Sequence, residues 1–150
     1  MSAAVTEALV RRYFDAFNRG DTDAMLMCVA ETIVHDVNQG VRREGKAAFR
    51  AFCGRMSHCY RETLDGITVM ATPDGRRAAA EFNVEGVYME TDEGLPAARQ
   101  QTYVLPAGTF FAVEGGLITR VTTYYNLTEW LVQVTSDDDI AGQPTGGMTA

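Results

Sequence analysis

A chain of 150 residues and 16.4 kDa has room for one ordinary domain around a single core, and 46% hydrophobic with 22% charged residues and four prolines excludes a disordered or repetitive body. A net charge of −7 repels phosphate backbones and anionic lipid, so neither nucleic acid nor a membrane is an expected partner. No apolar run approaches the ~20 residues that span a bilayer, and MSAAVTEALVRR lacks a basic segment followed by a continuous apolar stretch, which predicts a cytoplasmic protein.

In chain order, Val5, Ala8, Leu9, Tyr13, Ala16 and Phe17 recur at helical spacing and predict a helix over 5–17 that ends near Asn18-Arg19-Gly20. Asp21 is a good N-cap for a second, short helix carrying Ala24, Met25, Cys28 and Val29. A short strand over 32–36 and a loop over 37–44 follow. A third helix over 46–60, expected to be the longest, aligns Phe49, Phe52, Cys53, Met56 and Cys59 on one stripe.

Beyond it the period changes to that of β-structure, with strands predicted over 64–71, 78–90, 102–113 and 117–127. Pro73-Asp74-Gly75 and Glu114-Gly115-Gly116 read as hairpin turns. The loop 91–100, with Gly94, Pro96 and several charges, is a candidate pocket rim. Trp130, Leu131 and Val134 suggest a brief terminal helix, and residues 135–150, with three successive aspartates and several glycines, are expected to be a flexible tail after a single domain over 1–134.

Cys28, Cys53 and Cys59 are an odd count without a CxxC spacing and read as small buried hydrophobes. His35, His58, Cys59 and Asp36 show no zinc-motif spacing, and no nucleotide-binding glycine motif occurs, so no metal or cofactor is expected. Helices first and a twisted antiparallel sheet second predict an α+β domain whose sheet wraps around the helices and encloses a pocket.

This order, together with LVRRYFDAFNRGDTDAM, TIVHDV, the helix start Gly45-Lys46-Ala47-Ala48-Phe49 and GLITRVTTYYN, resembles the nuclear transport factor 2-like superfamily, closest to ketosteroid-isomerase-related and SnoaL-like proteins. The resemblance covers roughly residues 5–134. It implies a cone of curved, mixed but largely antiparallel sheet around three N-terminal helices, an apolar pocket, and a homodimer through the outer sheet face. Superfamily members include isomerases, polyketide cyclases, dehydratases, epoxide hydrolases and non-catalytic binding modules.

Asp36, at the end of the first predicted strand, aligns with the proton-shuttling aspartate of ketosteroid isomerases, and an apolar pocket would raise its pKa toward that of a useful base. The alternative is a carboxylate capping the following turn. Tyr13 aligns with the oxyanion-stabilising tyrosine of helix 1, or is a core tyrosine bonded to protein. The second oxyanion acid has no counterpart in Ala107-Gly108-Thr109-Phe110-Phe111, so Thr109 or another group would have to substitute. Alternation requires that if Asp36 faces the pocket, His35 faces away.

Phe17, Phe52, Met56, Phe82, Tyr88 and Phe110 are expected pocket-wall residues. Asn38 could bond a ligand at the mouth or simply turn the chain, and Trp130 could close the pocket or pack the last helix. The last strand has a tyrosine on each face, and the resemblance favours Tyr125 as the inward one. The leading expectation is a cofactor-independent protein that binds a small apolar carbonyl compound, with Asp36 as base and Tyr13 as donor in isomerase- or cyclase-like proton transfer. The alternatives are water addition or removal, which needs a second pocket acid, and a non-catalytic ligand-binding or dimerisation module.

Overall fold

The computed structural model describes residues 1–135, so the expected tail, apart from Thr135, lies outside the described residues. Helix α1 (Ala3–Arg19) begins where the Ser2 hydroxyl accepts from the Val5 amide at 3.2 Å and ends at Gly20, whose φ of 71° is the left-handed cap conformation a side chain would resist. Asp21 caps α2 (Thr22–Met27) through the Ala24 amide at 3.0 Å. Val29 then begins β1 (Val29–Val37) rather than continuing the helix. A two-residue strand, β2 (Arg43–Glu44), interrupts the expected loop by pairing antiparallel with β1.

Helix α3 (Lys46–Cys59) has 14 residues against 17 in α1, so the first helix, not the third, is the longest. It runs without a loop into β3 (Tyr60–Ala71), which starts four residues earlier than its alternation suggested because Tyr60 continues directly in extended backbone. Strands β4 (Arg77–Tyr88), β5 (Gln101–Glu114) and β6 (Leu117–Tyr125) and helix α4 (Leu127–Val134) complete the order.

The six strands lie in the order β2-β1-β6-β5-β4-β3, antiparallel except for the parallel pair β1 and β6. The sheet is curved and unclosed. Its register slips between Asp65 and Thr68, around Gly66 with φ 64°, and again between Ala112 and Val113, and such bulges bend and twist a strand pair. Just before the first slip the Asn18 side chain bonds both Leu64 backbone groups, at 2.8 and 3.0 Å, and so ties the end of α1 to β3.

The concave face carries the core. Tyr13 and Phe14 of α1 meet Phe111 edge-on at 5.8 and 5.7 Å, and Phe14 meets Phe82 at 5.3 Å. The loop 91–100 is pinned from below: Tyr60 donates to Asp92 at 2.8 Å, while the Tyr88 hydroxyl donates to the Pro96 carbonyl and accepts from the Asp92 amide. The cavity rim on that side is made by Met89 and Glu90, and 91–100 contributes nothing to it.

Candidate active site

Between the helices and the concave sheet lies a cavity of about 820 Å³, within the range that takes a small organic ligand. Its wall includes Tyr13 and Phe17 from α1, Phe52 and Met56 from α3, Phe82 from β4, Tyr125 from β6 and Trp130 from α4. Asp36, Asn38, Tyr88 and Phe110 do not reach it.

Each displacement has a physical cause. On β1, Ile33, His35 and Val37 point inward, so Asp36 faces the convex side of the sheet. There its Oδ2 accepts from Nε of Arg42 and ion-pairs with Nη2 of the same guanidinium, both at 2.7 Å. Burial works against ionisation of Asp36, but hydrogen bonds from Arg42 and Thr122 outweigh it and hold the carboxyl below the ordinary carboxylate range. The group is a fixed anion on the outer face, and the expectation that it is a base in the pocket is corrected.

Asn38 sits at φ 51° in the turn after β1, donates its amide to Thr123 and accepts the Tyr125 amide on its side chain, both at 2.8 Å, so it turns the chain and fixes β1 to β6. Tyr88 is fully buried behind the wall, stacked on Tyr60 at 5.3 Å. Phe110 follows the inward Thr109 and precedes the inward Phe111, and it packs on Tyr124 on the convex face.

The imidazole that takes the inward place on β1 belongs to His35. It is 4% exposed and lies edge-on to Phe49 and Phe52 of α3, at 5.0 and 4.4 Å between ring centres. Nδ1 is buried without a hydrogen-bond partner among the described residues. Burial, and then the positive charge of Arg43, lower its pKa to about 4, so the ring is neutral at pH 7. Tyr13 also packs on Phe49, at 6.5 Å, which makes the phenol and the imidazole neighbours across one ring. Burial raises the Tyr13 pKa well above 10, so the phenol keeps its proton, and among the described residues its hydroxyl has no hydrogen-bond partner.

Thr109 lines the same wall and shares a 3.1 Å hydrogen bond with Thr123. Cys53 is also on the wall, with its thiol pushed up to about 11 by burial, so it is protonated and inert at neutral pH. Among the described residues no group of His, Cys, Asp and Glu is arranged to hold a metal, and no helix is long and apolar enough to cross a membrane.

Among the wall residues that the sequence does not single out, two carry ionisable side chains that bear on the chemistry, His35 and Glu62. Placing Asp36 in the pocket turns His35 away from it, yet Ile33 and Val37, both apolar and in phase with His35, are the signal that the imidazole side of β1 is the inward one. Glu62 fell outside the predicted strand, yet it has the parity of the inward Leu64.

A family model described as a SnoaL-like domain matches residues 10–121, and the chain belongs to that family. A "putative polyketide cyclase" from Silicibacter sp. TM1040 is 57% identical, with a TM-score of 0.87 over 91% of this chain and 99% of that one. Another, from Pseudomonas putida KT2440, is 55% identical, with a TM-score of 0.85 over 90% and 99% of the two chains. An LEH-like epoxide hydrolase of M. tuberculosis, at 16% identity and a TM-score of 0.70 over 88% and 90%, shares the fold. No curated protein matches the chain.

Proposed function

We propose that this protein moves a proton on a small, apolar, carbonyl-containing molecule in cyclase- or isomerase-like chemistry, without a cofactor, with His35 as proton acceptor and Tyr13 as donor to the carbonyl oxygen. The observation that carries the reading is a neutral imidazole and a protonated phenol, neither hydrogen-bonded to protein among the described residues, on one apolar cavity wall and packed on the same Phe49 ring. A neutral imidazole accepts a proton from the carbon beside a carbonyl. The low pKa then makes the imidazolium a ready donor for the return step. A phenol within reach of the carbonyl oxygen stabilises the enolate charge as it develops.

The likeness to proteins described as polyketide cyclases favours the cyclase form, since closing a ring in a polyketone begins with the same proton abstraction. A homodimer through the convex sheet face belongs to the same proposal: Phe110, Tyr124 and Val104 are 44%, 38% and 56% exposed there. A cytoplasmic location fits three buried free thiols.

The test is solvent deuterium exchange and double-bond migration in a panel of ketosteroids and smaller β,γ-unsaturated ketones, followed by NMR. The expected result is turnover in the wild type that His35→Ala abolishes and Tyr13→Phe reduces. Absence of turnover, or equal rates in all three, would transfer the assignment to a non-catalytic binding module.

A further inference from the structure

Strand pairing sets Glu62 of β3 opposite Gly86 of β4, and Gly86 opposite Tyr103 of β5, so the three residues form one row across the sheet. A Cβ at residue 86 would stand 2.2 Å from Cζ of Tyr103 and 2.4 Å from its hydroxyl oxygen. The glycine therefore lets the Tyr103 ring lie flat across β4 and reach the next strand. A glycine inside a strand is unfavourable, because it loses more backbone freedom on folding and packs no side chain. Here the space it leaves holds one ring, and that ring holds one carboxyl: the Tyr103 hydroxyl donates to Oε2 of Glu62 at 2.5 Å. Trp130 packs edge-on to Tyr103 at 6.0 Å and hydrogen-bonds it as well.

Glu62 lines the cavity, and among the described residues its Oε1 makes no hydrogen bond. Glu62 is half-buried and its Oε1 is not among the fully buried unpaired polar atoms, so that oxygen opens onto the cavity, where an acceptor is met by water or by a ligand's donor. Burial raises the Glu62 pKa, and the Tyr103 hydrogen bond offsets part of the rise. The Tyr125 phenol is on the same wall, with its pKa raised first by burial and then by the Glu62 charge, so it remains a donor. Glu62 and His35 stand on β3 and β1, four strand steps apart in the sheet order, or about 19 Å along the strands' surface before curvature shortens it.

We propose that Glu62 is a substrate-contacting residue whose free Oε1 takes the proton of a hydroxyl or enol group in a hydrogen bond, and that Tyr103 is the positioning residue that aims it. The inference rests on the proton-transfer reading for the other end of the cavity and narrows its ligand. The molecule is an apolar ring or chain with two oxygen functions, a carbonyl near His35 and Tyr13 and a hydroxyl or enol near Glu62.

The test uses 2-naphthol and naphthalene, which share a skeleton and differ by one hydroxyl, titrated by fluorescence against the full chain across pH. Expected is an affinity for 2-naphthol about 10-fold or more above that for naphthalene, greatest where Glu62 is ionised and fading as pH falls through its pKa. Glu62→Leu should erase the preference while naphthalene binding stays. Glu62→Gln, which keeps the shape, should leave a smaller preference that no longer varies with pH. Tyr103→Phe should move the midpoint of that pH dependence upward, since a hydrogen bond that favours the carboxylate is lost. An unchanged preference in Glu62→Leu and Glu62→Gln overturns the assignment. Equal affinity of the wild type for both probes sinks it alone, whereas failure of both probes to bind sinks the small-molecule cavity reading along with it.

Discussion

His35 and Asp36 are neighbours in the chain whose side chains lie on opposite faces of β1, the imidazole on the cavity wall and the carboxylate against the Arg42 guanidinium at 2.7 Å. One strand thus presents a neutral imidazole to the cavity and an arginine-paired carboxylate to the outer face, and a single step of the pleat separates them.

Exchanging the two members of this pair separates catalysis from stability. His35→Ala should lower proton exchange on a responsive ketone by about 10²–10⁴-fold, the usual contribution of a positioned base. Asp36→Asn should leave the rate within about threefold and instead lower stability by about 1–2 kcal/mol, because Arg42 and Thr122 lose a charged acceptor. Exchange rates by NMR and urea unfolding midpoints on the same samples check both, and a larger rate loss in Asp36→Asn would return the base to that residue.

The His35 pKa has a consequence for acid stability. Folding depresses it from the ordinary value of 6.5 to about 4, so between these values the unfolded chain binds a proton that the native chain does not. Stability is therefore full above pH 6.5 and falls as pH drops toward 4, by about 3 kcal/mol from this group. His35→Phe should flatten that part of the profile. Turnover that depends on the neutral imidazole should likewise persist well below pH 6, where an ordinary histidine base would already be protonated. Denaturation at pH 4.5, 5.5 and 7, with the corresponding rate profile, measures both.

Gly86→Ala tests the row across β3, β4 and β5 without touching either polar partner. Its Cβ would fall within the Tyr103 ring, so the ring must leave Glu62. Stability should drop by about 1–3 kcal/mol, the range for overpacking a fitted site. The preference for 2-naphthol over naphthalene should weaken as in Tyr103→Phe. Thermal unfolding and the two titrations together distinguish a displaced ring from a general loss of fold.

The convex face predicts an assembly. Phe110 and Tyr124 meet edge-on at 5.9 Å while remaining partly exposed, an apolar patch at the centre of the sheet. In solution the protein should run at twice its chain mass of 16.4 kDa, and Phe110→Glu combined with Tyr124→Lys should yield a monomer with an unchanged circular dichroism spectrum. Light scattering on both proteins decides it, and a monomeric wild type would remove the dimer from the proposal.

Much of the fold was legible in the chain because its signals are local. Asp21 caps α2 where the sequence places a cap, and Gly20, Gly75, Gly115 and Gly116 mark by positive φ the breaks it predicts, whereas the Ser2 and Asn126 caps show only in the structure, Asn126 lying inside the strand predicted over 117–127. The α1 stripe that places Tyr13 and Phe17 on the cavity follows from helical periodicity alone. Strand parity is only weakly legible in β1, where Ile33 and Val37 flank His35 in phase but Val34 stands on the side of Asp36, and it is not legible in β6, where Tyr124 and Tyr125 are chemically alike.

What decided those faces is contact between distant segments. Phe49 and Phe52 of α3 cover one side of β1 and take His35 with them, while Arg42 returns from the following turn to neutralise Asp36 on the other. The direct passage of α3 into β3 brings Glu62 into phase with Leu64, and only the register across β4 shows that Gly86 leaves room for Tyr103 to hold it. The sequence by itself determined every element but β2, the family resemblance and the α1 stripe that places Tyr13 on the cavity wall. The tertiary structure decided which of two adjacent polar residues meets the cavity, because a strand's two faces are equivalent until something packs on one of them.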